Sequence, residues 1–264
     1  MKNINALCIN IFLIICILLI NRNEVFTQTT ALRQDKGLEL IIQTGHSSGI
    51  TSICYSPDSR YIVTGSDDGT AKIWNPKSGK LIRTLEGHST DVSSVCYSPD
   101  GRYIVTGSRD GTAKIWQANT GHFIRNLELY TNGINSVQFS PDGRYIVTAS
   151  NYANANIWQA NTGQLIRNLD EARHHVSSAT YSPDGKFIVT GSREEPLKIW
   201  NANTGELIRT LSKHSSGTLS VCFSRDGEFI SSSSNDKKVK IWNVITGQLI
   251  RTLEGHSSDV TSVS

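Results

Sequence analysis

The chain has 264 residues, 38% of them hydrophobic and 19% charged, which is long enough to bury a large core and excludes an intrinsically disordered polymer. Its formal net charge of +3 is small for this length, and Lys and Arg are scattered rather than blocked, so no nucleic-acid partner is expected.

The first segment differs from everything after it. Met1-Lys2 brings positive charge, and Ala6 to Ile20 is apolar except for Asn10. This is the shape of a signal peptide, and its apolar run is shorter than the roughly 20 residues a membrane-spanning helix needs. Residues 1–31 are therefore read as an export signal, with Thr29-Thr30-Ala31 the best cleavage candidate. The alternative is an uncleaved membrane anchor at 4–20. Residues 32–37 read as a linker.

From residue 38 onward one pattern repeats. Trp74, Trp116, Trp158, Trp200 and Trp242 are each 42 residues apart, with no insertion or deletion between them. Five full copies start near 45, 87, 129, 171 and 213, and a partial copy starts at 255. In the second copy, Val92 to Tyr97 alternates apolar and small polar residues, and Ser98-Pro99-Asp100-Gly101 then makes a turn. Arg102 to Gly107 is a second run. Asp110-Gly111 turns into a third, Thr112 to Trp116, and Asn119-Thr120-Gly121 leads to a fourth, His122 to Leu127. No stretch sustains a helical period. A four-stranded antiparallel sheet repeated every 42 residues cannot hide both faces alone, so the copies must stack. The expected fold is an all-β propeller of five complete blades and an incomplete sixth.

The Gly45-His46 and Gly87-His88 pairs before the first run, with Trp after a Ser-x-Asp turn, resemble the WD-repeat family over residues 38–264. The residue after each Trp departs from the family's Asp, being Asn75, Gln117, Gln159, Asn201 and Asn243. The resemblance implies a buried tetrad in each blade, made of His, a Ser or Thr on the second strand, Asp in the following turn, and Trp. Matched residue by residue, the whole tetrads are His46, Ser66, Asp68 and Trp74; His88, Ser108, Asp110 and Trp116; and His214, Ser234, Asp236 and Trp242. Copy three has Tyr130 and Tyr152 in the His and Asp positions, and copy four has Ala172 and Glu194. Both lose His and Asp together, as a direct His–Asp contact requires. His, Ser and Asp also spell a hydrolase triad. A set that recurs in several blades and ends on Trp reads as structure instead, so no catalytic residue, metal or cofactor is expected.

The resemblance also implies that the His and Asp turns share one face of the disc. The position before the structural Asp varies as Asp67, Arg109, Asn151, Arg193 and Asn235 while the Ser before it holds constant. Tyr130, Tyr152, Arg173, His174 and His175 add variable residues in copies three and four. These ten are the candidate contacts for a protein or peptide partner, and neutral drift is the competing account. The body cysteines Cys54, Cys96 and Cys222 share one repeat position with Gln138 and Thr180, which reads as small core filler. At the ends, Leu38 to Thr44 fills a fourth-strand slot and Ser258 to Ser264 begins a first strand, leaving a sixth blade short of its two middle strands. That opening admits self-association through blade edges. The functional expectation is an exported binding scaffold. The alternatives are an enzyme or small-ligand propeller, and a fragment of a larger anchored or intracellular regulator.

Overall fold

Each 42-residue repeat folds into a four-stranded antiparallel sheet, because four short alternating runs are separated by residues that accept tight-turn geometry. The computed structural model describes residues 29–33, 38–42, 45–128, 133–151, 155–169, 175–212 and 214–264. A hairpin comes first, β1 (Thr29–Arg33) with β2 (Leu38–Ile42). Blade 1 is β3 (Ile50–Tyr55), β4 (Ile62–Ser66), β5 (Ala71–Trp74) and β6 (Leu81–Leu85). Blade 2 is β7 (Val92–Tyr97), β8 (Tyr103–Ser108), β9 (Thr112–Gln117) and β10 (Phe123–Glu128). Blade 3 is β11 (Ile134–Phe139), β12 (Tyr145–Ser150), β13 (Ala155–Gln159) and β14 (Leu165–Asn168). Blade 4 is β15 (Val176–Tyr181), β16 (Phe187–Ser192), β17 (Lys198–Asn201) and β18 (Leu207–Thr210). Blade 5 is β19 (Thr218–Phe223), β20 (Phe229–Ser234), β21 (Val239–Asn243) and β22 (Leu249–Leu253). Each blade pairs its strands in chain order, and the described residues contain no helix.

The first turn of each blade is built alike. In blade 2, Ser98 Oγ donates to Asp100 Oδ1 at 2.6 Å, and Arg102 N–H donates to the same oxygen at 3.0 Å. Gly101 takes φ +70° there, whereas blade 1 forces Ser59 to +57°. Lys237 likewise sits at φ +66° where blades 1 and 2 carry Gly69 and Gly111.

The core lies between blades. Val63, Ala71, Ile73 and Leu85 of blade 1 meet Val92, Val95, Tyr97, Ile104 and Trp116 of blade 2. The same set recurs at the next three junctions. Each fully buried side chain of this size is worth roughly 1.5–3 kcal/mol, so stacking supplies what a lone sheet lacks. Inner-strand serines add a polar rung. Ser52, Ser94, Ser136 and Ser178 accept backbone N–H bonds from Val95, Val137, Ala179 and Val221 of the following blade. Packing at the junctions is tight. A Cβ at Gly107 would stand 2.6 Å from Ile134 and 2.7 Å from Val137. Blade 3 carries Ala149 in that position, and the facing residue is Ala179 instead of Val, so one methyl replaces another.

The stack has two open faces. On the leading side Ile53 and Tyr55 are 45% and 42% exposed, whereas their counterparts Val95 and Tyr97 are 5% and 6%. On the trailing side Leu253 is 43% exposed, against 1% for Leu85. The ring is therefore not closed. The hairpin β1–β2 lies 42 residues upstream of the β5–β6 hairpin and forms a separate two-stranded sheet. Ser258 to Ser264 forms no strand, yet Val260 N–H donates to the Ser234 carbonyl at 3.1 Å and Val263 N–H reaches Ser220 Oγ at 3.5 Å, continuing the inter-blade rung. β1 runs across the Thr29-Thr30-Ala31 cleavage candidate and into the expected linker. The apolar leader itself lies outside the described residues. Among the described residues no helix is long and apolar enough to cross a membrane.

Candidate functional site

In blades 1, 2 and 5 the turn-bearing end is fixed by a buried hydrogen-bond chain. In blade 2 His88 Nδ1 donates to Asp110 Oδ2 at 2.9 Å, Thr106 Oγ1 donates to His88 Nε2 at 2.7 Å, and Trp116 Nε1 donates to Thr106 Oγ1 at 2.9 Å. This tautomer follows from the carboxylate, which can only accept. Blade 1 repeats the chain through His46, Asp68, Thr64 and Trp74, with distances of 2.9, 2.7 and 2.7 Å. Blade 5 uses His214, Asp236, Ser232 and Trp242, at 2.9, 2.8 and 3.0 Å.

The central hydroxyl is thus Thr64, Thr106 or Ser232, and not Ser66, Ser108 or Ser234 as the sequence match had it. Both positions lie on the same strand two residues apart, so strand alternation puts them on one face and parity cannot choose between them. The indole reaches the first of the two. The second sits where the strand enters the turn, and its hydroxyl accepts the N–H of the structural Asp, at 3.1 Å for Ser66, 3.0 Å for Ser108 and 3.0 Å for Ser234.

Thr70 and Thr112 were not anticipated. Their hydroxyls donate to Oδ1 of Asp68 and Asp110 at 2.6 and 2.7 Å, and the Asp-Gly-Thr spelling was the available signal. With the His contact and backbone N–H donors, they bring Asp68 and Asp110 down to about 2 despite partial burial. Burial pushes His46, His88 and His214 below 6.5, outweighing the adjacent carboxylate. Neutral imidazole with ionised Asp suits a structural clamp. Thr106 Oγ is fully enclosed, so the set presents no accessible nucleophile.

Blades 3 and 4 keep the inner half of this chain. Trp158 Nε1 donates to Thr148 at 3.0 Å and Trp200 Nε1 to Thr190 at 2.9 Å. Tyr130, Tyr152, Ala172, Arg173 and His174 lie outside the described residues. Among those described, no group of three or more His, Cys, Asp or Glu could hold a metal ion.

The remaining candidates sit together on the turn face. Asp67, Arg109, Asn151 and Asn235 each donate a backbone N–H to the loop before the inner strand of their blade. Asp67, Arg109 and Arg193 are exposed, and Asn151 and Asn235 are half-buried. Asn151 Oδ1 accepts from Asn135 Nδ2 at 2.9 Å, so its amide is used within the blade. Arg109 Nε lies 3.6 Å from the exposed Asp91 carboxylate. Burial lowers the pKa of His175, and the charges of Arg193 and Arg109 act in the same direction against that of Glu194. His175 Nδ1 is buried with no partner among the described residues.

Five stacked four-stranded sheets, each pinned by a His–Asp–hydroxyl–Trp chain or its Trp–hydroxyl remnant, define a repeat propeller, and the chain belongs to the WD-repeat β-propeller family. Residues 49–201 match the family described as the IFT122 first beta-propeller, and residues 205–243 match the WD domain, G-beta repeat. Curated relatives match over about one repeat. The Periodic tryptophan protein 2 homolog of Mus musculus is 51% identical over 43 residues, which is 16% of this chain and 5% of the relative. The Ribosome biogenesis protein BOP1 homolog of Anopheles gambiae is 50% identical over 48 residues, 18% of this chain and 6% of the relative. That of Drosophila ananassae is 43% identical over 49 residues, 19% and 6% respectively. The matched segment is only about a twentieth of each relative's length.

Proposed function

We propose that this chain is a non-catalytic interaction platform whose turn face binds a protein or peptide partner, with Arg109 and Arg193 holding an acidic group of that partner. The family is typically one of protein-interaction scaffolds, and the names of the matched relatives do not transfer over a single repeat. The observation that carries the reading is a repeated charge choice. Blades 1 and 2 differ at only two positions between Cys54 and Trp74 or Cys96 and Trp116, and one of them puts Arg109 where Asp67 stands. Arg193 repeats that choice in blade 4, and both arginines are exposed. Arginine exposed on the turn face offers a planar fork matched to carboxylate. Export or membrane tethering rests on the apolar run ending at Ile20, and N-terminal sequencing of the mature protein from cell fractions distinguishes the two.

A displayed random-peptide library panned on the folded chain tests the platform role. The selected peptides are expected to be rich in Asp and Glu and to bind the Arg109→Glu/Arg193→Glu variant at least tenfold more weakly. Equal binding by the two proteins would remove the two arginines from the account.

A further inference from the structure

Cys54 and Cys96 occupy the same place on the inner strands of neighbouring blades. Tyr97 N–H donates to Cys54 Sγ at 3.5 Å, and the Cys96 thiol donates to the Tyr97 carbonyl at 3.3 Å, so both sulfurs sit against the backbone of one residue. Side chains at this position do reach across a junction. In blades 3 and 4, Gln138 Oε1 accepts from Thr180 Oγ1 at 2.8 Å and from Tyr181 N–H at 2.7 Å. Of the five blades, only the first two put sulfur on both sides of one junction.

We propose that Cys54 and Cys96 form an oxidisable dithiol that closes to a disulfide across the junction of blades 1 and 2, with Cys54 attacking and Cys96 resolving. Both thiols are half-buried. Cys54 is the one whose sulfur accepts a backbone N–H, from Tyr97, whereas Cys96 Sγ donates to a carbonyl. The Cys96 thiol and the Tyr97 N–H also stabilise sulfur anion at Cys54, bringing it down to about 7, while the same contact and burial hold Cys96 well above 9.0. A thiolate is the attacking form. Cys222 has no such neighbour: its thiol meets only the Phe223 carbonyl, at 3.1 Å, and burial pushes it up.

With a disulfide oxidant such as oxidised glutathione the steps balance. The Cys54 thiolate attacks one glutathione sulfur, its S–S bond breaks, and one glutathione leaves as thiolate. Cys96 then gives up its proton to solvent and attacks Cys54 Sγ, forming the protein disulfide and releasing the second glutathione. Two protein thiols are oxidised and one glutathione disulfide is reduced. Closing the two thiols to a bond of about 2.05 Å requires β3 and β7 to draw together across the junction.

The experiment treats the full chain with oxidised glutathione and reads intact mass and non-reduced peptides. Wild type should yield a Cys54–Cys96 cross-linked peptide two hydrogens lighter than its reduced pair, with Cys222 unmodified. Cys96→Thr, which installs the residue blade 4 carries at this position, should stop with glutathione on Cys54. Before oxidation, iodoacetamide at neutral pH should label Cys54 about tenfold faster than Cys222, in line with its larger thiolate fraction. A wild-type protein that stops at the mixed disulfide as Cys96→Thr does, or equal labelling of Cys54 and Cys222, would overturn the proposal.

Discussion

Replacing His88 with Ala tests the blade clamp most simply. The change removes the 2.9 Å bond to Asp110 and the 2.7 Å bond from Thr106. Asp110 is not orphaned, because Ser89 N–H, Thr112 N–H and Thr112 Oγ1 still donate to it at 3.0, 2.9 and 2.7 Å. Thr106 also keeps the Trp116 N–H, the arrangement blades 3 and 4 retain. The loss is therefore one charge-assisted and one neutral hydrogen bond, about 2–3 kcal/mol in a buried setting. At a urea dependence of about 3 kcal/mol per molar, the midpoint of a tryptophan-fluorescence titration should fall by roughly 0.8 M. A midpoint unchanged within about 0.2 M would refute the clamp. Thr106→Val should cost at least as much, since it leaves both the Trp116 N–H and His88 Nε2 unpaired. Ser108→Ala should cost about 1–2 kcal/mol, the loss of the Asp110 N–H cap and of the bond to the Thr90 carbonyl. The reverse order would return the central role to Ser108.

Acid should weaken the fold in two stages, measured as urea midpoint against pH. The buried histidines stay neutral in the fold, so the unfolded chain takes up protons first and stability declines as pH drops below 6.5. Asp68 and Asp110, at about 2 in the fold against 3.8 unperturbed, add stability above 3.8 that is lost as pH falls from there toward 2. A flat profile between 5 and 7 would contradict the first stage. Ala179→Val should destabilise by about 1–3 kcal/mol by crowding Ala149, and adding Ala149→Gly should recover most of it in a double-mutant cycle. Additive losses would rule out their contact. Ser59→Gly and Lys237→Gly should each raise stability by about 1 kcal/mol by relieving a left-handed backbone, and a decrease at both sites would count against that strain.

Much of this molecule was legible in its spacing. A tryptophan every 42 residues with four turn-bounded runs between successive copies dictated the blades, because identical sheets have only each other to bury against. The paired loss of His and Asp in copies three and four announced their contact, which His46–Asp68, His88–Asp110 and His214–Asp236 make at 2.9 Å. The hydroxyl was misassigned because 64 and 66, or 106 and 108, share a strand face, and only the reach of the indole distinguishes them. Thr29–Arg33 escaped notice because no tryptophan or Asp-Gly marks it, and Leu32 stands where the repeat has Trp. The sulfur contact was hidden for a different reason. Equivalent positions 42 residues apart look like repetition in the sequence, whereas stacking makes them neighbours.

Hydrogen exchange of the chain, free and saturated with a selected acidic peptide, tests the platform directly. Protection should appear at the turns holding Asp67, Arg109, Arg193 and Asn235 and around His175. Protection confined instead to the outer strands, where Phe123, Ile124, Leu165, Ile166, Leu207 and Ile208 are exposed, would place binding on the rim of the disc and contradict the turn-face account.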